Sequence, residues 1–173
     1  VAAMTAGKHA ATEVPAAETI EECWQLVETV EKTKKYCVML ENCCYFREAM
    51  LVHHLVRKGL FGELRHCEAG YQHYGGRRRR PADKPRKEGQ VYKANSYPTH
   101  PIGPVAQWMD INRGNRFDYL VSMSADGTRG NRSADINTSL IRTVSGQTIT
   151  LYFDTNETTG VLETCVSVPN GCM

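Results

Sequence analysis

Two short stretches, Tyr71-Gln72-His73 and Tyr97-Pro98-Thr99-His100, hold side chains able to handle protons near neutral pH. Imidazole suits general acid-base work there, and a neighbouring phenol can orient a hydroxyl. The second stretch sits inside Asn95-Ser96-Tyr97-Pro98-Thr99-His100-Pro101-Ile102-Gly103-Pro104, where three prolines and a glycine argue against a running helix or a central strand. A fixed bend is expected instead. Pro98 and Pro101 restrict the residues before them, so Tyr97 and His100 lose freedom before any ligand arrives. An ordinary proline-rich loop with a Tyr and a His as neighbours would read the same way.

The elements that must position these groups fall into two kinds. Glu63 to His73 alternates, with Arg65, Cys67, Ala69, Tyr71 and His73 on one face, so Tyr71 and His73 are expected to point the same way. Behind the bend, Pro104 to Ile111 reads as a helix with proline in its first turn, anchored by Val105, Trp108, Met109 and Ile111. Phe117 to Met123 reads as a strand, and Ser139–Val144 with Gln147–Asp154 as a two-residue hairpin about Ser145-Gly146. This half has antiparallel character.

The first half differs. Val1 to Ala6 reads as the end of a helix closed by Gly7, and Lys8 to Glu13 as a short strand. Thr19-Ile20-Glu21-Glu22 is a capping box that opens a helix carrying Ile20, Cys23, Trp24, Val27 and Val30 and ending in Lys32, Lys34 and Lys35. Tyr36 to Leu40 is a near-continuous apolar run, expected of a strand covered on both faces, and Phe46 to Lys58 is a second helix stopped by Gly59. Strand and helix in alternation predict a parallel sheet, whose strand ends Glu13-Val14-Pro15 and Glu41-Asn42 share one rim. Polar residues also simply end strands and cap helices.

A chain of 173 residues with a formal net charge of +2 offers too little charge excess to imply a nucleic-acid partner. The run Arg77–Arg80, inside a polar segment reaching to about Gly89, reads as a solvated loop. No segment approaches the length of a membrane span, and no targeting segment is evident. Seven cysteines without a CxxC pair support neither a disulfide framework nor a zinc ribbon, so Cys23 and Cys37 are expected buried and reduced. His53 and His54 are adjacent on a helix and point apart, which argues against a metal pair.

No G-x-G-x-x-G turn and no P-loop occurs in the chain. The stretches Ala6 to Ala17, Met39-Leu40-Glu41-Asn42, Gly59-Leu60-Phe61-Gly62-Glu63 and Tyr97 to Met123 nevertheless resemble those of glycoside hydrolase family 109. These are NAD-dependent alpha-N-acetylgalactosaminidases within the wider group of glucose-fructose oxidoreductase and inositol dehydrogenase relatives (Gfo/Idh/MocA-type). Gly103 to Gly114, preceded by Tyr-Pro-Thr-His, is the most specific part of the match.

The resemblance implies an α/β fold: the C-terminal part of a Rossmann-like parallel sheet over residues 1–60, followed by an α+β substrate domain with a mostly antiparallel sheet over 61–173. It implies NAD as cofactor and a glycan as substrate. In that chemistry a hydride leaves C3 of the sugar, the C2 proton becomes acidic, the glycosidic group is eliminated, water adds and the hydride returns. His100 would take the C3 hydroxyl proton and Tyr97 would orient that hydroxyl. Tyr71 and His73 would face C2 and the anomeric oxygen, and Pro98 and Thr99 would complete the sugar site. Glu13 and Val14 would contact the nicotinamide side, with Glu13 also counted among the catalytic groups, and Asn42 would contact NAD.

The departures from the pattern carry expectations of their own. Val14 stands where the wider oxidoreductase group has the lysine of Glu-Lys-Pro, which favours the glycosidase branch. The glycine-rich turn and the ribose-binding acid would belong to sequence preceding Val1, so this chain alone should hold NAD poorly and be weakly active or inactive. After Tyr71, the continuation Tyr74-Gly75-Gly76 into four arginines is unlike the family, as is the tail after Asp154. A sugar or polyol oxidoreductase of the same fold, or a noncatalytic remnant, remains an alternative. The C-terminal sheet also offers a surface through which copies could associate.

Overall fold

The computed structural model describes residues 1–72, 95, 97–125 and 136–154, together with the backbone of 161–168 and 171–172. They divide into two compact units, Val1–Asn42 and Cys43–Met173. Among the described residues no helix is long and apolar enough to cross a membrane.

The first unit holds α1 (Ala2–Thr5), β1 (Ala10–Thr12), α2 (Ile20–Thr33) and β2 (Cys37–Met39). β1 and β2 pair in parallel with Thr12 opposite Met39, as the strand-helix-strand pattern requires. At the start of α2 the Thr19 hydroxyl accepts from the Glu22 N–H at 3.1 Å and the Glu22 carboxylate accepts from the Thr19 N–H at 3.2 Å, completing the capping box. One expectation fails here. Val38 and Leu40 are exposed rather than covered on both faces, and so are Ile20, Trp24 and Cys23 on α2, because a two-stranded sheet with one long and one four-residue helix has too little surface to bury them.

The second unit begins with a 3₁₀ turn shared with the end of the first, Asn42–Tyr45, and continues through α3 (Arg47–Arg57), β3 (His66–Gln72), α4 (Thr99–Trp108), β4 (Phe117–Ala125), β5 (Ile136–Thr143), β6 (Thr148–Asp154), β7 (Val161–Val168) and β8 (Gly171–Cys172). The sheet runs β4-β5-β6-β3-β7-β8, and only β3 with β6 is parallel. α3 packs its Ala49, Val52 and Val56 on the core formed by β3, β5, β6 and α4. Gly59 follows α3 at φ +70, and the Leu60 N–H returns to the Leu55 carbonyl at 3.1 Å, the left-handed stop that glycine adopts without strain.

The hairpin joining β5 and β6 has a three-residue loop, Val144 to Gly146, rather than two. The Gly146 N–H reaches the Thr143 carbonyl at 2.9 Å, and Gly146 sits at φ +87 where the extra residue is absorbed as a bulge. Burial alternates strictly along β5 and β6. One face meets the helices through Ile141, Ile149, Leu151 and Phe153, while the other bears Thr138, Leu140 and Arg142. Five thiols among the described residues are free: Cys43 and Cys67 buried, Cys37 and Cys44 half-buried, Cys23 exposed.

Candidate active site

The proline-rich stretch is a helix, which corrects the expected bend. α4 starts at Thr99, with Pro98 at its cap and Pro101 and Pro104 inside. Pro101 is tolerated because the first four N–H groups of a helix have no intrahelical partner. Pro104 lies beyond that turn and removes the N–H that would pair with the His100 carbonyl. Packing offsets this loss, since Pro101, Pro104, Val105 and Trp108 are all buried. Beyond the helix, Asp110 takes a left-handed φ of +53 and the Ile111 N–H returns to the Ala106 carbonyl at 2.9 Å, dropping Ile111 into the core. Val105, Trp108, Met109 and Ile111 anchor this segment as their spacing predicts.

β3 ends at Gln72 and α4 opens at Thr99, and the two bring three half-buried aromatic side chains together. The Tyr71 and Tyr97 ring centroids are 5.0 Å apart, those of Tyr97 and His100 4.6 Å, and those of Tyr71 and His100 6.1 Å. Such T-shaped and tilted arrangements are those favoured by ring quadrupoles. The Tyr97 N–H donates to Asn95 Oδ1 at 3.0 Å, which fixes the backbone before the helix. Among the described residues, two polar atoms next to this cluster in sequence, Asn95 Nδ2 and Thr99 Oγ1, are buried with no hydrogen-bond partner.

Of the residues singled out from sequence, Tyr71, Tyr97, Pro98, Thr99 and His100 thus gather at one place. His73 lies outside the described residues, as do Arg77–Arg80 and the first residues of the tail. Glu13, Val14 and Asn42 belong to the first unit, where they follow the carboxyl ends of β1 and β2. Leu40 N–H donates to Thr12 O at 2.8 Å, so the two ends lie side by side.

Sequence reading missed two supports of the site. Phe153 on β6 stacks under Tyr71 with centroids 6.1 Å apart and planes 11° apart; its strand, Gln147 to Asp154, was legible, but the parallel pairing that sets Phe153 opposite Tyr71 was not. Asn115 is the other. Its Nδ2 donates to the Met109 carbonyl at 3.0 Å and to Gln147 Oε1 at 2.7 Å, while its Oδ1 accepts from the Arg116 N–H and the Ser145 hydroxyl, each at 3.0 Å. Gln147 Nε2 then donates to the Leu64 carbonyl at 3.0 Å. One amide pair therefore ties the end of α4, the β5–β6 loop and the entry to β3 together.

Residues 45–133 match the family profile described as Glycosyl hydrolase 109, C-terminal domain. This chain belongs to glycoside hydrolase family 109. Its relatives include family 109 proteins of Shewanella sp. (strain W3-18-1), 46% identical over 175 residues, and of Shewanella pealeana, also 46% identical over 175 residues. Each alignment takes in 88% of this chain and 38% of the relative, so the chain spans under two fifths of their length. Among solved structures, it resembles an inositol dehydrogenase homolog complexed with NAD+ from Azotobacter vinelandii, with a TM-score of 0.77 at 17% identity over 99% of this chain and 46% of that one. A probable dehydrogenase from Thermotoga maritima gives a TM-score of 0.76 at 15% identity over 98% of this chain and 50% of that one. At such identities the likeness establishes the fold. The family 109 chain therefore has the architecture of this dehydrogenase group, a parallel α/β part followed by an α/β domain on a mostly antiparallel sheet.

Proposed function

We propose that this chain carries the acid-base and sugar-binding groups of a glycosidase that releases terminal alpha-N-acetylgalactosamine with NAD as its cofactor. The observation that carries the reading is the gathering of Tyr71, Tyr97 and His100, with unpartnered Asn95 Nδ2 and Thr99 Oγ1 adjoining them in sequence. In this reading residues 1–60 form part of a dinucleotide-binding domain and 61–173 part of a substrate domain. Glu13 and Val14 would contact the nicotinamide side and Asn42 would contact NAD, which fits their emergence from adjacent ends of a parallel strand pair. NAD, if bound there, would supply a reversible hydride acceptor for C3 of the sugar. His100 accepts the C3 hydroxyl proton while Tyr97 orients that hydroxyl. Tyr71, with His73, serves C2 and the leaving oxygen, and Pro98 and Thr99 shape the wall.

The test is incubation of the full-length protein and NAD with a chromogenic alpha-N-acetylgalactosaminide. Release of the chromophore without net NADH supports the reading. Net NADH from a free sugar or polyol, with no glycoside cleavage, would assign an oxidoreductase instead. Self-association through the C-terminal sheet belongs to the same proposal, since Val121, Met123 and Leu140 stand exposed on β4 and β5. A single monomeric boundary in sedimentation at high concentration would remove that part.

A further inference from the structure

Among the described residues, cavities also lie outside the aromatic cluster. Between α3 and α4 lies a space of about 510 Å³, within the size range of small-molecule sites. α3 contributes His53, His54 and Arg57 to it, and α4 with the turn after it contributes Gln107, Trp108 and Arg113. Among the described residues its lining holds no carboxylate. The adjacent carboxylate is Asp110, which pairs with Arg57 at 3.2 Å in an exposed bridge that water screens. Arg113 donates to Gln107, and the Trp108 N–H is taken by the Ala49 carbonyl, so its indole forms an apolar wall. Among the described residues, His53 Nδ1 is buried with no hydrogen-bond partner, so that nitrogen is not committed to a neighbour. Position adds a third observation. His100, Pro104 and Gln107 follow one stripe of α4, placing the cavity roughly 6 to 10 Å along the helix from His100.

We propose that this cavity holds the oxyanion of an acidic sugar, a carboxylate or a sulfate ester, adjoining the sugar bound at Tyr71, Tyr97 and His100; this second clause rests on the carbohydrate reading of that cluster. Guanidinium forks match the paired oxygens of either group. The test is an amide NMR titration of the chain with glucuronic acid, galactose 6-sulfate, galactose and N-acetylgalactosamine. An acidic sugar is expected to shift amides of α3 and α4 around the cavity, with a Kd at least tenfold below that of galactose. Response to one acidic sugar alone assigns its oxyanion. Arg57→Gln with Arg113→Gln should abolish the preference, and His100→Ala should keep it. Equal affinity for galactose and both acidic sugars overturns the proposal, as does a preference that survives the double substitution. If acidic sugars bind the cavity while N-acetylgalactosamine leaves Tyr71, Tyr97 and His100 unmoved, the anion site stands and the carbohydrate reading of the cluster falls.

Discussion

The rings of Tyr97 and His100 meet in a T, centroids 4.6 Å apart and planes 80° apart, across the start of α4. Asn95 Oδ1 fixes the chain before that start by accepting the Tyr97 N–H at 3.0 Å. Asn95→Ala removes this bond, worth about 1 kcal/mol, or roughly a fivefold weakening if it is spent on preorganisation. Calorimetric titration with N-acetylgalactosamine should therefore show a weaker Kd for this variant without loss of α4.

Tyr152 lies across Gly70, and a Cβ built there would come within 2.0 Å of its ring. Gly70→Ala is expected to cost about 1–3 kcal/mol because the ring must leave its place. Urea unfolding measures the loss. Adding Tyr152→Ser should recover much of it, since the steric conflict has then gone.

Trp108 is 5% exposed and donates to the Ala49 carbonyl at 3.2 Å, joining α4 to α3. Trp108→Phe keeps most of the volume and should cost about 1–2 kcal/mol, whereas Trp108→Ala should cost about 3–5 kcal/mol. Thermal unfolding should rank them in that order. Equal losses would mean that the hydrogen bond, not the packing, holds the two helices.

Asn115 bonds groups on three segments at once, so Asn115→Ala leaves the Met109 carbonyl without this donor and leaves Gln147 Oε1 only the longer bond from the Thr143 hydroxyl. Each buried group left unmet costs about 1–3 kcal/mol, and the sum should exceed the loss in Ser145→Ala, which removes one donor. Comparison of the two by denaturant unfolding checks this.

Local signals were the legible part of the fold. The Thr19-Glu22 capping box, the Gly59 stop and the turn at Ser145-Gly146 each depend on residues close in sequence, and each is present. The proline-rich stretch misled because propensity penalises Pro101 and Pro104, while the burial that offsets the penalty comes from distant strands. Tyr71 and His100 could be named as candidates from residue type alone, and their proximity follows from how β3 and α4 pack. The Asn115 and Gln147 node left no local mark, since a single Asn in a turn reads as an ordinary turn residue.

The most direct measurement follows hydrogen at C2. If the proposed function holds, the full-length protein with NAD should cleave an alpha-N-acetylgalactosaminide in D₂O and release sugar carrying deuterium at C2, because the proposed sequence removes the proton there before the bond breaks. His100→Ala should lower that release by about 10²-fold or more. Cleavage that leaves C2 protonated, or a rate unchanged by His100→Ala, would contradict the account.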